Sequence, residues 1–493
     1  MVRQGFDYDL VILGGGSAGI VAGNVAGALG ARVALVEKTR IGGECLWTGC
    51  VPSKALLHIA EMAKAMRTAR TLGLKNVRLT RDDCAGAFAA VRDRIETTRI
   101  NDATETMLRD FGVEIRIGAG EFVRPHLFRT PTGDLKSARF LIATGSSPAI
   151  PNIPGLNDVG FLTNQTVFSL TSVPESVLIL GGGYIACELG QALVRLGAKV
   201  TIVERNERLL KREDSEAVDL LTETLKAEGI TVLTGTTVER FSAGEGDRKI
   251  ADLVAPDDRR FRGSFSEILV AVGRQGNTEG LGLERVGVTT DEKGYVRVNA
   301  AGRTENPSIW AGGDVTGRNQ FSHMAEEEAK ALVRNILFPG AQTLPADLVP
   351  YAIFTDPELA QVGKTEAEAI ADFGEKRVKV LRHSFRQDDR AIVEDRTTGM
   401  VKVITVGPTG KIVGATILGP RAGELIQEWV LAIRHGLTAA QIAGTVHVYP
   451  ALTVSNQRAA QKWFTDLTEH PAVRGVLGSV FGYAPRDGKS LHG

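Results

Sequence analysis

Hydrophobic positions in this chain cluster into short continuous runs that stop at glycine, a pattern of buried strands rather than of alternating surface strands. Residues 8–13 read as one such strand, leading into Gly14-Gly15-Gly16-Ser17-Ala18-Gly19. A helix follows to about residue 29, then a strand over 32–36 that Glu37 closes. The same order returns later: a strand at 177–180, the turn Gly181-Gly182-Gly183-Tyr184-Ile185-Ala186, a helix to about 196 and a strand at 199–203 closed by Glu204. Three more apolar runs end at small residues, over 141–146, 269–274 and 309–314. From about Val349 the pattern changes. A turn at 354–357 precedes strands at 378–384, 401–406 and 412–418, and helical periodicity at 422–435 and 439–443.

The elements predict an α/β chain with two Rossmann-like dinucleotide-binding domains, followed by an α+β domain without a nucleotide motif, whose expected job is assembly. The first nucleotide domain is expected over 1–152 and 275–348 and the second over 153–274. The α+β domain spans 349–465, and 466–493 is an extension.

Each glycine turn has a physical role. Gly14 makes the tight turn, Gly16 lets the backbone approach a pyrophosphate, and Gly19 lets helix and strand pack closely. The pyrophosphate sits on the helix N-terminus and Glu37, 23 positions after Gly14, accepts hydrogen bonds from a ribose. Gly181, Gly183 and Glu204 repeat the arrangement at the same spacing. Two copies imply two dinucleotides, and FAD with a nicotinamide cofactor is the expected pair. Further candidate contacts for the first are Ser17, Ala18, Lys38, Gly43, Glu44, Thr144, Gly145, Ser146, Asp314 and Ser322. For the second they are Tyr184, Ile185, Val238, Gly273 and Arg274. Each strand-end turn taken alone is as often a plain strand end.

At 493 residues the chain is too long for one hydrophobic core. Lys plus Arg and Asp plus Glu both number 58, so charge gives no case for nucleic acid or an anionic membrane as partner. The apolar stretch 10–36 is broken by glycines and Arg32, which fits strand, turn and helix better than a membrane span. No signal pattern opens the chain, so a cytoplasmic protein is expected. Four cysteines are too few for a disulfide scaffold.

Two of those cysteines stand in Gly42-Gly43-Glu44-Cys45-Leu46-Trp47-Thr48-Gly49-Cys50-Val51-Pro52-Ser53-Lys54. Pro52 marks the start of a helix. Cys50 would feel the positive end of that helix, and Lys54 adds a cation one turn on. Both favour the reactive thiolate. Zinc would need two more ligands, and Cys84 and Cys187 are distant and read as core residues, so no metal site is expected. A structural buried thiol pair stays open as the alternative.

These motifs resemble the class I pyridine nucleotide–disulfide oxidoreductases, the family of dihydrolipoamide dehydrogenase, glutathione reductase and mercuric reductase. The resemblance runs from about Asp7 to Phe464. The Cys-x4-Cys-x-Pro-Ser-Lys wording carries it, with the order of the glycine motifs around it, and Gly-Glu-Cys-Leu-Trp-Thr-Gly-Cys looks closest to the mercuric-reductase-like branch. The resemblance implies that Cys50 faces the flavin and Cys45 is the outer thiol that attacks substrate. It implies that Lys54 lies near the flavin and pairs with Glu188, that Tyr184 gates the nicotinamide pocket, and that Asp314 binds the ribityl chain. It also implies a homodimer with each active site built from both chains. Without the motif, Lys54 and Glu188 would read as a surface ion pair and Tyr184 as core packing. Glu204 accepts both ribose hydroxyls of NADH and repels the 2′-phosphate of NADPH, a repulsion that Arg205 and Arg208 soften, so NADH is expected and NADPH is the alternative.

One departure matters. The family's disulfide reductases carry His-Pro with a Glu a few residues on, a general acid–base for the outer thiol. Here Tyr449 stands at the His position and Val454 at the Glu position, while His447 comes two residues early, displaced by about 7 Å on an extended chain. A tyrosine with a pKa of about 10 is a poor base at neutral pH. Loss of such a base costs on the order of 10²–10⁴ in rate. Mercuric reductases also lack that His but carry a C-terminal Cys pair, and this chain has no Cys beyond Cys187. The reading is therefore an NADH-dependent flavoenzyme that passes electrons through Cys45–Cys50 to a soft metal ion or a small reactive sulfur species. Three alternatives remain: dihydrolipoamide dehydrogenase with His447 or Tyr449 as base, an NADH:quinone reductase or diaphorase that ignores the cysteines, and a non-catalytic thiol redox sensor.

Overall fold

The apolar runs lie side by side in parallel sheets. A computed structural model describes residues 5–75, 78–345, 348–469 and 471–482. The first sheet has the order Ile309–Ala311, Phe140–Ile142, Leu10–Leu13, Val33–Glu37, Glu114–Ile117, all parallel. Its central strand is fully buried, because apolar side chains from both faces meet packed layers. Leu10 and Ile12 face helix Ser17–Ala28 and helix Ser322–Leu337, while Val11 and Leu13 face Phe122, Phe128 and Phe140. The second sheet has the order Thr231–Thr234, Lys199–Glu204, Ser176–Leu180, Glu267–Val270, again parallel. Two antiparallel three-stranded ribbons accompany the sheets, Glu121–Arg124 to Gly133–Lys136 and Thr237–Ala243 to Arg260–Phe265.

Strands start and stop within a residue or two of the sequence reading. The helix after the cysteines differs: it starts at Cys50, with Pro52 two residues inside. Proline is harmless there because first-turn N–H groups have no partner within the helix.

The chain divides into two compact units, 1–209 with 225–346, and 210–224 with 347–493. Both nucleotide-type sheets belong to the first. Segment 210–224 groups with the C-terminal residues rather than with the stretch 153–274 that surrounds it in sequence. The buried Lys402 ammonium is one tie, bonding Asp214 at 2.8 Å, Glu216 at 3.1 Å and Glu366 at 2.7 Å, and Arg382 pairs with Glu216 at 3.0 Å. A buried cation keeps its partners, because stranding any one is costly.

The second unit is α+β. Its antiparallel sheet has the order Tyr351–Ile353, Glu358–Gly363, Lys411–Gly419, Met400–Val406, Val378–Ser384. Helices Ala422–Arg434 and Val454–Glu469 cover it, with Trp429, Trp463 and Phe385 in the core. The expected extension begins inside helix Val454–Glu469, and helix Pro471–Phe481 follows. Residues 483–493 lie outside the described residues. No described helix is long and apolar enough to cross a membrane.

Glu358 gives this unit a pH signature. Burial pushes its pKa up from 4.5 to about 7, although Oε2 accepts the Gly423 N–H at 2.9 Å. A carboxyl whose folded pKa is raised stabilises the fold fully below its unfolded value, and that contribution is lost as pH climbs from about 4.5 to 7. Glu358→Gln keeps an acceptor for Gly423 and cannot ionise. The variant is expected to match the parent in thermal unfolding at pH 4.5 and to exceed it at pH 8 by on the order of 1–3 kcal/mol. A variant less stable than the parent at pH 8 contradicts this account.

Candidate active site

The two glycine turns are built alike. Gly14 has φ +113° and Gly181 φ +100°, and a Cβ on either would lie 2.3 Å from the Ala143 carbonyl oxygen or 2.4 Å from that of Ala271. Each turn is tied to its acidic strand end. Glu37 accepts the Gly15 and Thr39 N–H groups, both at 2.8 Å, and Glu204 accepts those of Gly182 at 2.6 Å and Asn206 at 2.7 Å. The acids thus organise the turn as well as facing it, a role that spacing alone did not reveal. Carboxylate oxygens hold more lone pairs than these bonds use, so both can still accept sugar hydroxyls. Gly16 and Gly183 cap helices Ser17–Ala28 and Tyr184–Arg195 without a side-chain cap, which leaves the helix N-termini to an anion. Gly43 (φ +60°) presses on the first turn, and a Cβ there would lie 2.5 Å from Gly16 Cα. This bare backbone cradle fits a pyrophosphate.

The cysteine pair follows directly. Cys45 lies on the short helix Gly43–Trp47 and Cys50 opens helix Cys50–Thr68. Both are free thiols, Cys45 partly exposed and Cys50 exposed. They bond each other unequally. A hydrogen bond from Cys45 pulls Cys50 down to about 6, helped by Ser322 and the Lys54 cation. The same contact pushes Cys45 up, and burial adds to it. Ser322 opens helix Ser322–Leu337 with Oγ 3.5 Å from Cys50 Sγ. Lys54 pairs with Glu188 at 2.8 Å, as the resemblance implies, and the Glu188 side chain is only 5% exposed. A surface ion pair would not bury its acid.

Beside the dithiol stands a second charged group. Glu44 is gripped by both terminal nitrogens of Arg274, at 2.9 Å for Nη1. Arg274 Nε donates to Ser146 Oγ at 2.7 Å, and Ser146 Oγ donates to Asp314 at 2.9 Å. Burial raises the pKa of Asp314, and burial lifts that of Tyr184 to about 12. Tyr184 is still 39% exposed, with its phenol among the charges of Arg274, Asp314, Glu44 and Glu188. Thr144 and Asn277 exchange hydrogen bonds at 2.7 and 2.9 Å beside Gly145, whose φ is +71°. Sequence reasoning missed Asn164, a buried amide that donates to Glu44 and to the Thr48 carbonyl. No motif marks it.

Other candidates stand apart from this group. Lys38 is exposed after Glu37, and Val238 is half-buried in strand Thr237–Ala243, packed on the second sheet's core. Ile185 is the second residue of its helix, and Gly273 (φ +139°) precedes Arg274. Cys84 and Cys187 are buried, and burial pushes Cys187 up to about 12. Among the described residues no group of His, Cys, Asp and Glu could hold a metal ion. In the second unit, Tyr449 is 66% exposed and donates to Asp389 at 3.1 Å, a bond that raises its pKa further. Both ring nitrogens of His447 are engaged, Nε2 with Glu428 at 2.8 Å and Nδ1 with the Thr445 carbonyl at 2.9 Å.

The pyridine nucleotide-disulphide oxidoreductase model matches residues 8–329, and the dimerisation domain of the same family matches 349–460. The chain is 36% identical to a mercuric reductase of Streptomyces lividans, over 95% of this chain and 99% of that protein. It is 34% identical to a dihydrolipoyl dehydrogenase of Thermus scotoductus, over 92% and 97%. Among solved structures, the HOCl-induced flavoprotein disulfide reductase RclA from Escherichia coli superposes with a TM-score of 0.82 at 26% identity, over 93% of this chain and 99% of that one. Its Cu(II) complex gives 0.82 at 27%, over 92% and 99%.

Proposed function

The chain belongs to the pyridine nucleotide-disulphide oxidoreductase family, and from that premise we propose that it passes two electrons from NADH, by way of FAD, to Cys45–Cys50 and on to a soft metal ion or a small reactive sulfur species. Membership makes it an oxidoreductase dependent on FAD and a pyridine nucleotide, with a dimerisation domain at its C-terminal side. We read the assembly as a homodimer.

The observation that carries the proposal is the asymmetry of the dithiol. The contact between the two sulfurs, with Ser322 and Lys54 beside Cys50, draws the Cys50 pKa down and pushes that of Cys45 up, which favours thiolate on Cys50 and the proton on Cys45. This state balances a hydride equivalent: NADH and the disulfide become NAD⁺, one thiol and one thiolate, with no further proton. Gly14, Gly16, Gly43, Glu37 and Asp314 would hold FAD, and Gly181, Gly183 and Glu204 the nicotinamide cofactor. FAD, when bound, supplies the two-electron chemistry that links hydride donor and disulfide. Lys54, anchored by buried Glu188, keeps a cation beside Cys50 and favours its thiolate. Tyr184 stays protonated at neutral pH and would shield the nicotinamide from water. Glu204 accepts the Gly182 N–H at the turn, and a carboxylate there opposes a 2′-phosphate, which supports NADH.

The acceptor follows from the two residues that stand where the family's disulfide reductases carry their base. Tyr449 is held by Asp389 and His447 by Glu428 and Thr445, so neither offers the proton relay of a disulfide exchange. A soft ion binds sulfur directly and displaces the Cys45 proton itself. An acceptor panel tests this. With NADH, turnover of Hg(II), Cu(II) or hypothiocyanous acid is expected to exceed that of lipoamide and glutathione disulfide by about 10²-fold, and kcat/KM for NADH to exceed that for NADPH. Lipoamide turnover equal to the metal's moves the assignment to dihydrolipoamide dehydrogenase, and a roughly tenfold advantage for NADPH overturns the nucleotide reading.

A further inference from the structure

We propose that Asn164, Glu44 and Arg274 form a clamp that holds the dithiol loop closed and so sets how readily Cys45 and Cys50 join, an inference that rests on reading the two as the redox pair.

Asn164 is 6% exposed, and its single Nδ2 donates to Glu44 Oε1 and to the Thr48 carbonyl, the latter at 3.3 Å. Those two acceptors bracket the loop. Glu44 precedes Cys45, and Thr48 precedes Gly49 and Cys50. Two acceptors also fix the orientation of the amide, since its oxygen could serve neither. Arg274 grips the other side of the Glu44 carboxylate, with Nη2 on Oε2. Arg274 is itself fixed by Ser146 Oγ at 2.7 Å and the Ser146 carbonyl at 2.8 Å, where strand Ser146–Pro148 pairs with Arg274–Gly276. The Tyr295 hydroxyl donates to the Arg274 carbonyl at 2.7 Å. The loop is thus pinned to a sheet edge through one side chain.

Such pinning is needed. The helix that carries Cys45 is five residues long and has no side-chain cap, so it has little stability of its own. A bidentate, part-buried carboxylate–guanidinium pair supplies direction as well as strength. Holding a short loop in the closed geometry raises the effective concentration of one thiol for the other. The clamp's bonds run to the Glu44 carboxylate, the Thr48 carbonyl and Ser146, so these are positioning residues.

The test is the thiol–disulfide equilibrium of the flavin-loaded protein in anaerobic glutathione buffers, read by alkylation and mass spectrometry. Glu44→Gln, Arg274→Gln and Asn164→Ala are each expected to lower the equilibrium constant for the Cys45–Cys50 disulfide by about tenfold. The double variant Glu44→Gln/Arg274→Gln should fall no further than either single one, because both break one contact. If Glu44→Gln does not fold, Asn164→Ser removes the bracket without touching a charge and carries the same expectation. Lowered melting temperatures with an unchanged or raised equilibrium constant overturn the clamp, since a purely structural role moves only the first. A parent protein that forms no Cys45–Cys50 disulfide at any glutathione ratio overturns the redox-pair reading, and the clamp with it.

Discussion

Cys45→Ser and Cys50→Ser should each lower NADH-dependent turnover of the metal or sulfur acceptor by at least about 10³-fold, while NADH-dependent reduction of a quinone persists. A disulfide needs two sulfurs, so either substitution removes the electron store. The two variants should differ in one respect. Cys45→Ser leaves Cys50 with Ser322, Lys54 and a hydroxyl donor at position 45, so Cys50 still reacts quickly with an alkylating reagent near neutral pH. Cys50→Ser removes the contact that most raises the Cys45 pKa, yet burial still holds it up, so Cys45 should react more slowly than Cys50 does in the other variant. Steady-state assays and timed alkylation check both statements. Serine variants that keep a tenth or more of acceptor turnover would place the chemistry at the flavin and favour a quinone reductase. Negligible turnover of every acceptor by the parent protein would favour a thiol sensor.

Gly43→Ala is expected to purify with flavin occupancy lowered by about tenfold or more. The added Cβ lies 2.5 Å from Gly16 Cα, and the obstacle is backbone, so no rotamer relieves it. The loop bearing Glu44 and Cys45 must then part from the first glycine turn, which opens the pyrophosphate cradle. Gly30→Ala separates clash from strain. Gly30 also has positive φ, at +78°, yet nothing lies within 4 Å of its added Cβ. It should keep its flavin. The ratio of flavin to protein absorbance after gel filtration measures both variants, and full flavin in Gly43→Ala would refute the cradle.

Much of this was legible before any coordinates. Glycine turns, buried strand runs and acid spacing depend on local backbone geometry, so residues 8–37 and 177–204 could be read directly. Cys50 at a helix start was readable for the same reason. What escaped the sequence was long-range pairing. Asn164 is one amide in an ordinary polar stretch, and its meeting with Glu44 and Thr48 needs the chain to return across 120 residues. Segment 210–224 looked like part of the second nucleotide domain, and its long-range contacts with Lys402, Arg382 and Tyr351 tie it elsewhere. Glu37 and Glu204 were read as facing a ribose, yet each also fixes its own glycine turn. His447 stood in the sequence as a candidate base, and its engagement by Glu428 depends on a residue 19 positions away.

The central claim is that electrons from NADH come to rest on Cys45 and Cys50. One anaerobic titration tests it most directly: add one equivalent of NADH to the oxidised, flavin-loaded protein and count titratable thiols by alkylation and mass spectrometry. The account predicts that Cys45 and Cys50 both become alkylatable, Cys50 first, with Cys84 and Cys187 unchanged. Consumption of NADH with bleached flavin and no new thiol at either position would contradict it.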